Sequence, residues 1–428
     1  MFASGPAILS ALFLFQAEAQ FEAGARIEMR VGEAPSVTQV NASARAEQAQ
    51  VMVVATPLLS MRWLDGVDDL HVDSATRILW RPVPLFDSRP IFLETLGATH
   101  IRRPSRRSQL QLNVLASYGE QDYASLQQQL PNQPSLPLAM TMLMVNATAN
   151  ASWHSSRRTT LTLQLSALHR RSFDTETISS GTAGTFALPT QTTVTAAPGL
   201  TYALARRSTL NAVVSIIDTD SQGMSLAPSQ TGAPSQTGEL NVLSIQPQVG
   251  IRQELTRQHQ LHLAGGFAYT LALRRADATN LAWYPVPLLQ IDLNSVLQRT
   301  RMAVVRSSIG VGTTAFIDPV LGVPVSRGLA QASVDAQLGT WSVGARCAFS
   351  TDLFGRLPTT GGIPPDETFV TAEIPIHYRT SRHLIVEFGG RYTERAPYLG
   401  APGFAWHYRE LWLYLNLTTF SRPSSTRS

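Results

Sequence analysis

"SRRSQLQLNVLASYG", residues 105–119, decides how this chain is read. Two arginines between serines lead into an alternation. Leu110, Leu112, Val114, Ala116 and Tyr118 hold one parity, and Gln109, Gln111, Asn113 and Ser117 hold the other. A period of two puts apolar side chains on one face of a β-strand and polar ones on the opposite face.

The stretch has relatives along the chain. "SSRRTTLTLQLSA" begins at Ser155, "ARRSTLNAVVSI" at Ala205, "TRQHQLHLAGGFAYT" at Thr256 and the looser "TSRHLIVEFGG" at Thr380. Arg106, Arg157, Arg206 and Arg257 anchor four of them at spacings of 51, 49 and 51 residues. Such periods signal one supersecondary unit used repeatedly. Several units also carry a mid-strand proline, in "ATPLLSMRW" at Ala55, "AAPGLTYALARRS" at Ala196, "IQPQVGIRQELTRQ" at Ile245 and "EIPIHYRTSR" at Glu373. Proline cannot donate to a ladder, so its recurrence at one level predicts a shared kink.

Each unit reads as strand, short turn, strand, long loop. The loops at 119–137, 173–191 and 218–239 are rich in Gly, Ser, Thr, Gln and Pro, and the intervening turns are short. The alternation from Ala139 to Trp153 runs for 15 residues, well beyond the roughly five or six usual in soluble sheets and enough to cross a bilayer at a tilt, which takes about 9–11. The apolar face is expected to meet lipid. The polar parity then lines water, while a closed ladder satisfies the backbone.

Composition agrees. Only 15% of the 428 residues are charged, against about a quarter in soluble domains. No lysine occurs, so all 34 basic residues are arginine, which removes Walker A, Schiff-base and Ser-x-x-Lys chemistry. The net charge of +4 is spread along the chain, which argues against a nucleic-acid partner. The lone cysteine, Cys347, falls on an apolar parity and reads as a small hydrophobe. Ala7–Phe15 is an apolar run followed by Ala17-Glu18-Ala19, the small residues of an export signal. No later stretch reaches 18 uninterrupted apolar residues, so no spanning helix is expected.

These residues resemble bacterial outer-membrane β-barrel proteins as a class. The passage at 198–210, proline, alternating Leu and Tyr, Arg-Arg-Ser, then Leu, is similar to a descending strand, periplasmic turn and ascending strand of such chains. "HYRELWLYLNLTTF", ending at Phe420, resembles the terminal strand read by the outer-membrane assembly machinery, although Asn416 and Thr418 share the parity of Phe420. The resemblance implies a location in the outer membrane and no catalytic set.

The expected fold is therefore all-β, a transmembrane antiparallel up-and-down β-barrel with short periplasmic turns and long extracellular loops. Residues 1–19 form the signal, 20–420 the barrel and 421–428 a short tail. Strands are expected at 21–32, 47–62, 69–82, 89–102, 107–118, 139–153, 159–172, 191–204, 208–217, 240–254, 260–273, 284–297, 302–316, 327–337, 340–350, 367–379, 383–395 and 406–420. That makes 18, or 16 if the first pair is a periplasmic segment.

Other candidate sites read blandly. His259 and His262 are three apart and fall on opposite faces of a strand, so they cannot share a metal. "DGVDDLHVD" at 65–73 lacks EF-hand spacing and reads as a solvated turn. The Asn146 and Asn150 triplets sit inside a strand as lumen polars. No cofactor or enzymatic activity is expected. The phase of the alternation sends Arg26, Arg30, Arg77, Arg81, Arg252, Arg306, Arg346 and Arg391 inward, with Glu28, Glu94, Asp292, Glu373 and Glu387. Such charges either brace the wall or set pore preference. Two functions follow: a passive, weakly anion-favouring diffusion channel for small solutes, or a non-conducting surface barrel whose long loops bind a partner, polymer or phage. A loop at 120–137 folded into the lumen would act as a constriction.

Overall fold

The computed structural model describes residues 18–35, 47–83, 90–121, 140–173, 176–178, 184–186, 190–225, 237–274, 284–300, 302–317, 324–354, 367–381, 383–397, 408–421 and 424–426. Eighteen antiparallel strands close into a barrel. In chain order they are β1 (Glu18–Pro35), β2 (Glu47–Asp65), β3 (Asp68–Val83), β4 (Ile91–Ser105), β5 (Ser108–Gln121) and β6 (Met140–His154). The next six are β7 (Thr159–Ser172), β8 (Thr190–Ala205), β9 (Ser208–Ser225), β10 (Thr237–Glu254), β11 (His259–Arg274) and β12 (Tyr284–Arg299). The last six are β13 (Ala303–Ile317), β14 (Pro324–Leu338), β15 (Trp341–Phe354), β16 (Glu367–Arg379), β17 (Leu384–Pro397) and β18 (Tyr408–Phe420).

Every strand pairs with its sequence neighbour, and β1 pairs with β18 from Gly24–Phe420 to Glu33–Leu411, which closes the wall. Both expected extra strands of the first pair belong to the barrel, so the count is 18 rather than 16. β1 begins at Glu18, inside the expected signal, and pairs there with Leu64; residues 1–17 lie outside those described. Part of the tail is ordered too, since Ser424–Thr426 pairs with Ala19–Phe21 of β1.

The two-residue turns divide by chemistry. Gly66 (φ 49°) and Gly339 (φ 62°) take the left-handed conformation that hairpin turns favour. The Arg106-Arg107 and Arg206-Arg207 turns contain no positive φ. The four recurring prolines share one effect. On one side of each, the ladder skips two residues: between Ala55 and Leu58, Ala196 and Gly199, Ile245 and Gln248, and Glu373 and Ile376. The missing N–H is the reason.

Alternation sorts the two faces. Leu112, Leu163, Leu165, Val214, Leu263, Ile291, Ile309, Leu413 and Leu415 are exposed on the outside, and Cys347 lies with them. Ser117, Gln191, Thr219, Ser244 and Asn416 are buried on the inside. An outer band of bare leucine and valine has no covering layer among the described residues, so lipid is the medium that suits it. Aromatic side chains mark its edges. Trp63 and Trp153 stand near the short-turn rim, with Trp341 stacked on Tyr378 at 4.3 Å. Trp80, Phe92, Tyr118 and Phe173 stand at the other edge, where Tyr118 meets Phe173 edge-on at 6.0 Å.

The spacing of the girdles fits a membrane. Trp80 pairs with Val53, ten positions along β2 from Trp63, and Leu143, which pairs with Tyr118, lies ten positions along β6 from Trp153. Ten residues span about 33 Å along a strand; a tilt near 40° brings that to about 25 Å, the height of an outer-membrane apolar band. This is the architecture of a transmembrane β-barrel, with its apolar outer band at membrane height.

Candidate functional site: the charged inner wall

The site is the water-facing parity, and its densest part straddles the seam between β1 and β18. Glu28 lies against Arg30, with both side chains almost wholly buried, and Arg26 reaches Glu28 at 3.3 Å. Arg26 Nε also donates to Asn416 Oδ1 at 3.0 Å, and Asn416 Nδ2 donates to Glu387 Oε2 at 3.2 Å. His377 Nδ1 stands 3.6 Å from the same carboxylate. One level along, Arg391 pairs with Glu373 at 2.8 Å, and Tyr414 Oη donates to Glu373 at 3.1 Å. The chain of contacts therefore runs from β1 through β18 and β17 to β16, and Arg77 of β3 adds its field at Glu28. Opposite charges on facing positions attract strongly where water is partly excluded, so this quarter of the wall is braced.

The wall from β10 to β15 is looser. Arg346 meets Asp335 at 3.4 Å with both side chains about half exposed. Arg252 donates to Gln260 at 2.6 Å, and Asp292 takes Gln290 at 2.6 Å and His262 at 3.3 Å. Arg306 faces Asp335 across the ladder yet makes no ion pair among the described residues. A recess of about 560 Å³ opens here toward the short-turn rim, lined by Glu254, Arg257, Gln260, Asn294, Arg306 and Asp335.

The register thus places Arg26, Arg30, Arg77, Arg252, Arg306, Arg346 and Arg391 on the inner face, with Glu28, Asp292, Glu373 and Glu387. The Arg81 side chain lies outside those described. Glu94 departs from expectation. It pairs with Thr76 and Tyr118 and is exposed on the outer face, while Leu93 beside it is buried inward. "IFLETL" is apolar on both parities, so local alternation could not fix its phase.

Sequence reading also missed inner-wall charges. Arg170 and Arg327 are buried polars, as is Glu410, and Asp335 braces Arg346. Near the short-turn rim, Arg62 holds Asp69 through two bonds of 2.7 and 2.9 Å, and His71 meets Asp73 at 3.0 Å. Three of their strands carry a large apolar side chain on the inner parity too, at Met52, Leu79 and Trp412, which blurs the alternation. Counting the added charges gives ten arginines against eight carboxylates.

The remaining candidates sort simply. His259 and His262 do separate, His259 bonding Ser295 Oγ at 2.8 Å and His262 facing Asp292. Within 65–73, Asp68 is taken by His100 at 2.9 Å, Asp69 by Arg62 and Asp73 by His71. Asn150 pairs with Gln111 and Gln164 on the inner face. Phe420 ends β18 but shares the inner parity of Asn416, so Leu411, Leu413, Leu415 and Leu417 present the lipid face. Nearly all of the loop at 120–137 lies outside the described residues.

No protein-family model and no curated sequence matches the chain. Solved structures of similar shape exist. A siderophore receptor, PirA from Acinetobacter baumannii, is 8% identical with a TM-score of 0.48, over 93% of this chain and 80% of that one. The copper transporter OprC is 12% identical with a TM-score of 0.46, over 94% and 81%. OccK2 (OpdF) of Pseudomonas aeruginosa, solved with glucuronate, is 11% identical with a TM-score of 0.45, over 94% and 98%. Likeness at this level says nothing of what this barrel carries.

Proposed function

We propose that the barrel is a passive diffusion channel for small hydrophilic solutes, with a weak preference for anions. One observation carries this reading: a closed 18-strand wall that is polar inside and apolar outside. Barrels of about 16–18 strands are wide enough to hold an aqueous lumen. The preference is weak because most wall charges are paired with one another. It leans to anions because Arg252 and Arg306 face the lumen without a carboxylate partner among the described residues, beside the solvated recess. The segment 1–19, with its apolar run Ala7–Phe15, is read as the export signal that brings the chain to the membrane.

Refolded protein in a planar bilayer tests this. Discrete conductance steps are expected, with a reversal potential under a salt gradient that favours anions and fades at high salt, where screening shortens to about 3 Å at 1 M. Arg252→Glu with Arg306→Glu should move that potential toward cations. A sealed barrel would refute the channel and leave the surface-binding alternative.

A further inference from the structure

The Arg-Arg turns recur through the sequence and lie at the rim, outside the inner-wall network. Arg106-Arg107, Arg157-Arg158 and Arg206-Arg207 lie on three consecutive turns of the short-turn rim, and all six side chains are exposed. Backbone bonds stitch the turns to the next hairpin: His154 N donates to Arg107 O, Ala203 N to Arg158 O and Glu254 N to Arg207 O, each at 2.8 Å. Successive doublets are two strands apart, so about 10 Å separates them, close to a Debye length at 0.1 M. Their fields add.

Turn geometry does not ask for arginine here. No φ in these turns is positive, and hydroxyls close two of them: Ser105 Oγ bonds Ser108 Oγ at 2.7 Å and accepts from Arg107 N at 3.1 Å, while Ser156 Oγ accepts from Arg158 N at 3.1 Å. None of the six guanidinium groups makes an ion pair or side-chain hydrogen bond among the described residues. Six adjacent, exposed, unpaired cations repel one another, a cost that a countercharge would remove.

Their height identifies that countercharge. Trp153 and Tyr202, on the outer face, stand four residues before Arg157 and Arg206. Aromatic rings of a barrel girdle sit at the membrane interface, so the doublets lie just beyond it, at headgroup level. Arginine matches phosphate through its planar fork of donors. We propose that this rim binds anionic phospholipid headgroups of the leaflet on the short-turn side. The inference rests on the membrane-spanning reading and not on conduction.

Spin-labelled phosphatidylglycerol and phosphatidylcholine, each as a trace in phosphatidylcholine vesicles holding the refolded barrel, test it. The motionally restricted fraction should favour phosphatidylglycerol by roughly fivefold, from about 1 kcal/mol per engaged arginine. Replacing all six arginines with glutamine should bring the ratio near one, and replacing them with lysine should keep a clear preference. Arg252→Gln with Arg306→Gln, in the lumen, should leave it unchanged. Inorganic phosphate should act no more strongly than chloride of equal ionic strength; a phosphate-specific loss would reassign the patch to a soluble anion. Should the glutamine variant fail to fold, salt on the native protein decides, because a preference that survives 1 M salt overturns the proposal. So does a native ratio of one, or a glutamine variant whose ion selectivity changes while its lipid preference does not.

Discussion

Leu165 of β7 gives the sharpest test of which face meets lipid. It is 43% exposed on the outer face and pairs with Ala149 and Ala196, two small residues that give a long side chain no shelter. Trp153 pairs with Leu161 at one girdle, and Tyr118 reaches Arg171 of β7 through Leu143 at the other. Leu165 is four positions from the first level and six from the second, so it sits near the middle of the band. Leu165→Arg should therefore cost about 2–4 kcal/mol, the midplane value, while Leu161→Arg at the girdle should cost about 0–1 kcal/mol. The first figure is a factor of roughly 30 to 900 in the folded ratio. Gln164→Arg, one residue away on the inner face, should cost little, since its guanidinium enters water. Urea unfolding in lipid vesicles, followed by the heat-dependent shift of barrel migration on gels, reads all three. Equal tolerance of Leu165→Arg and Gln164→Arg would show that the faces are assigned the wrong way round.

Glu28→Gln should destabilise the barrel by about 3 kcal/mol, because it strands the buried Arg30; Glu28→Leu with Arg30→Met should recover most of that in the same unfolding assay. Arg346→Gln, which breaks a half-exposed pair, should cost under about 1 kcal/mol, and a larger loss would mean that this side of the wall is braced too. An epitope inserted after Gln230 should be labelled on intact cells and one after Arg157 only after permeabilisation; the reverse would invert the topology.

The period-two alternation of 105–119 and its relatives determined the strands, the turns and the lipid face, because alternation is a local property written residue by residue. Even the count of 18 followed, since each long loop and each short turn carries its own composition. What faces what across the ladder is not local. Glu94 turned outward because "IFLETL" is apolar on both parities and only pairing with Tyr118 sets its phase. The contact of Arg26 with Asn416 joins residues 390 apart, and no sequence pattern announces the seam that brings them together. Asp335 became the partner of Arg346 through register alone. Closure of the barrel thus decided which charges are neutralised and which, like Arg306 and the rim doublets, meet no opposite charge among the described residues.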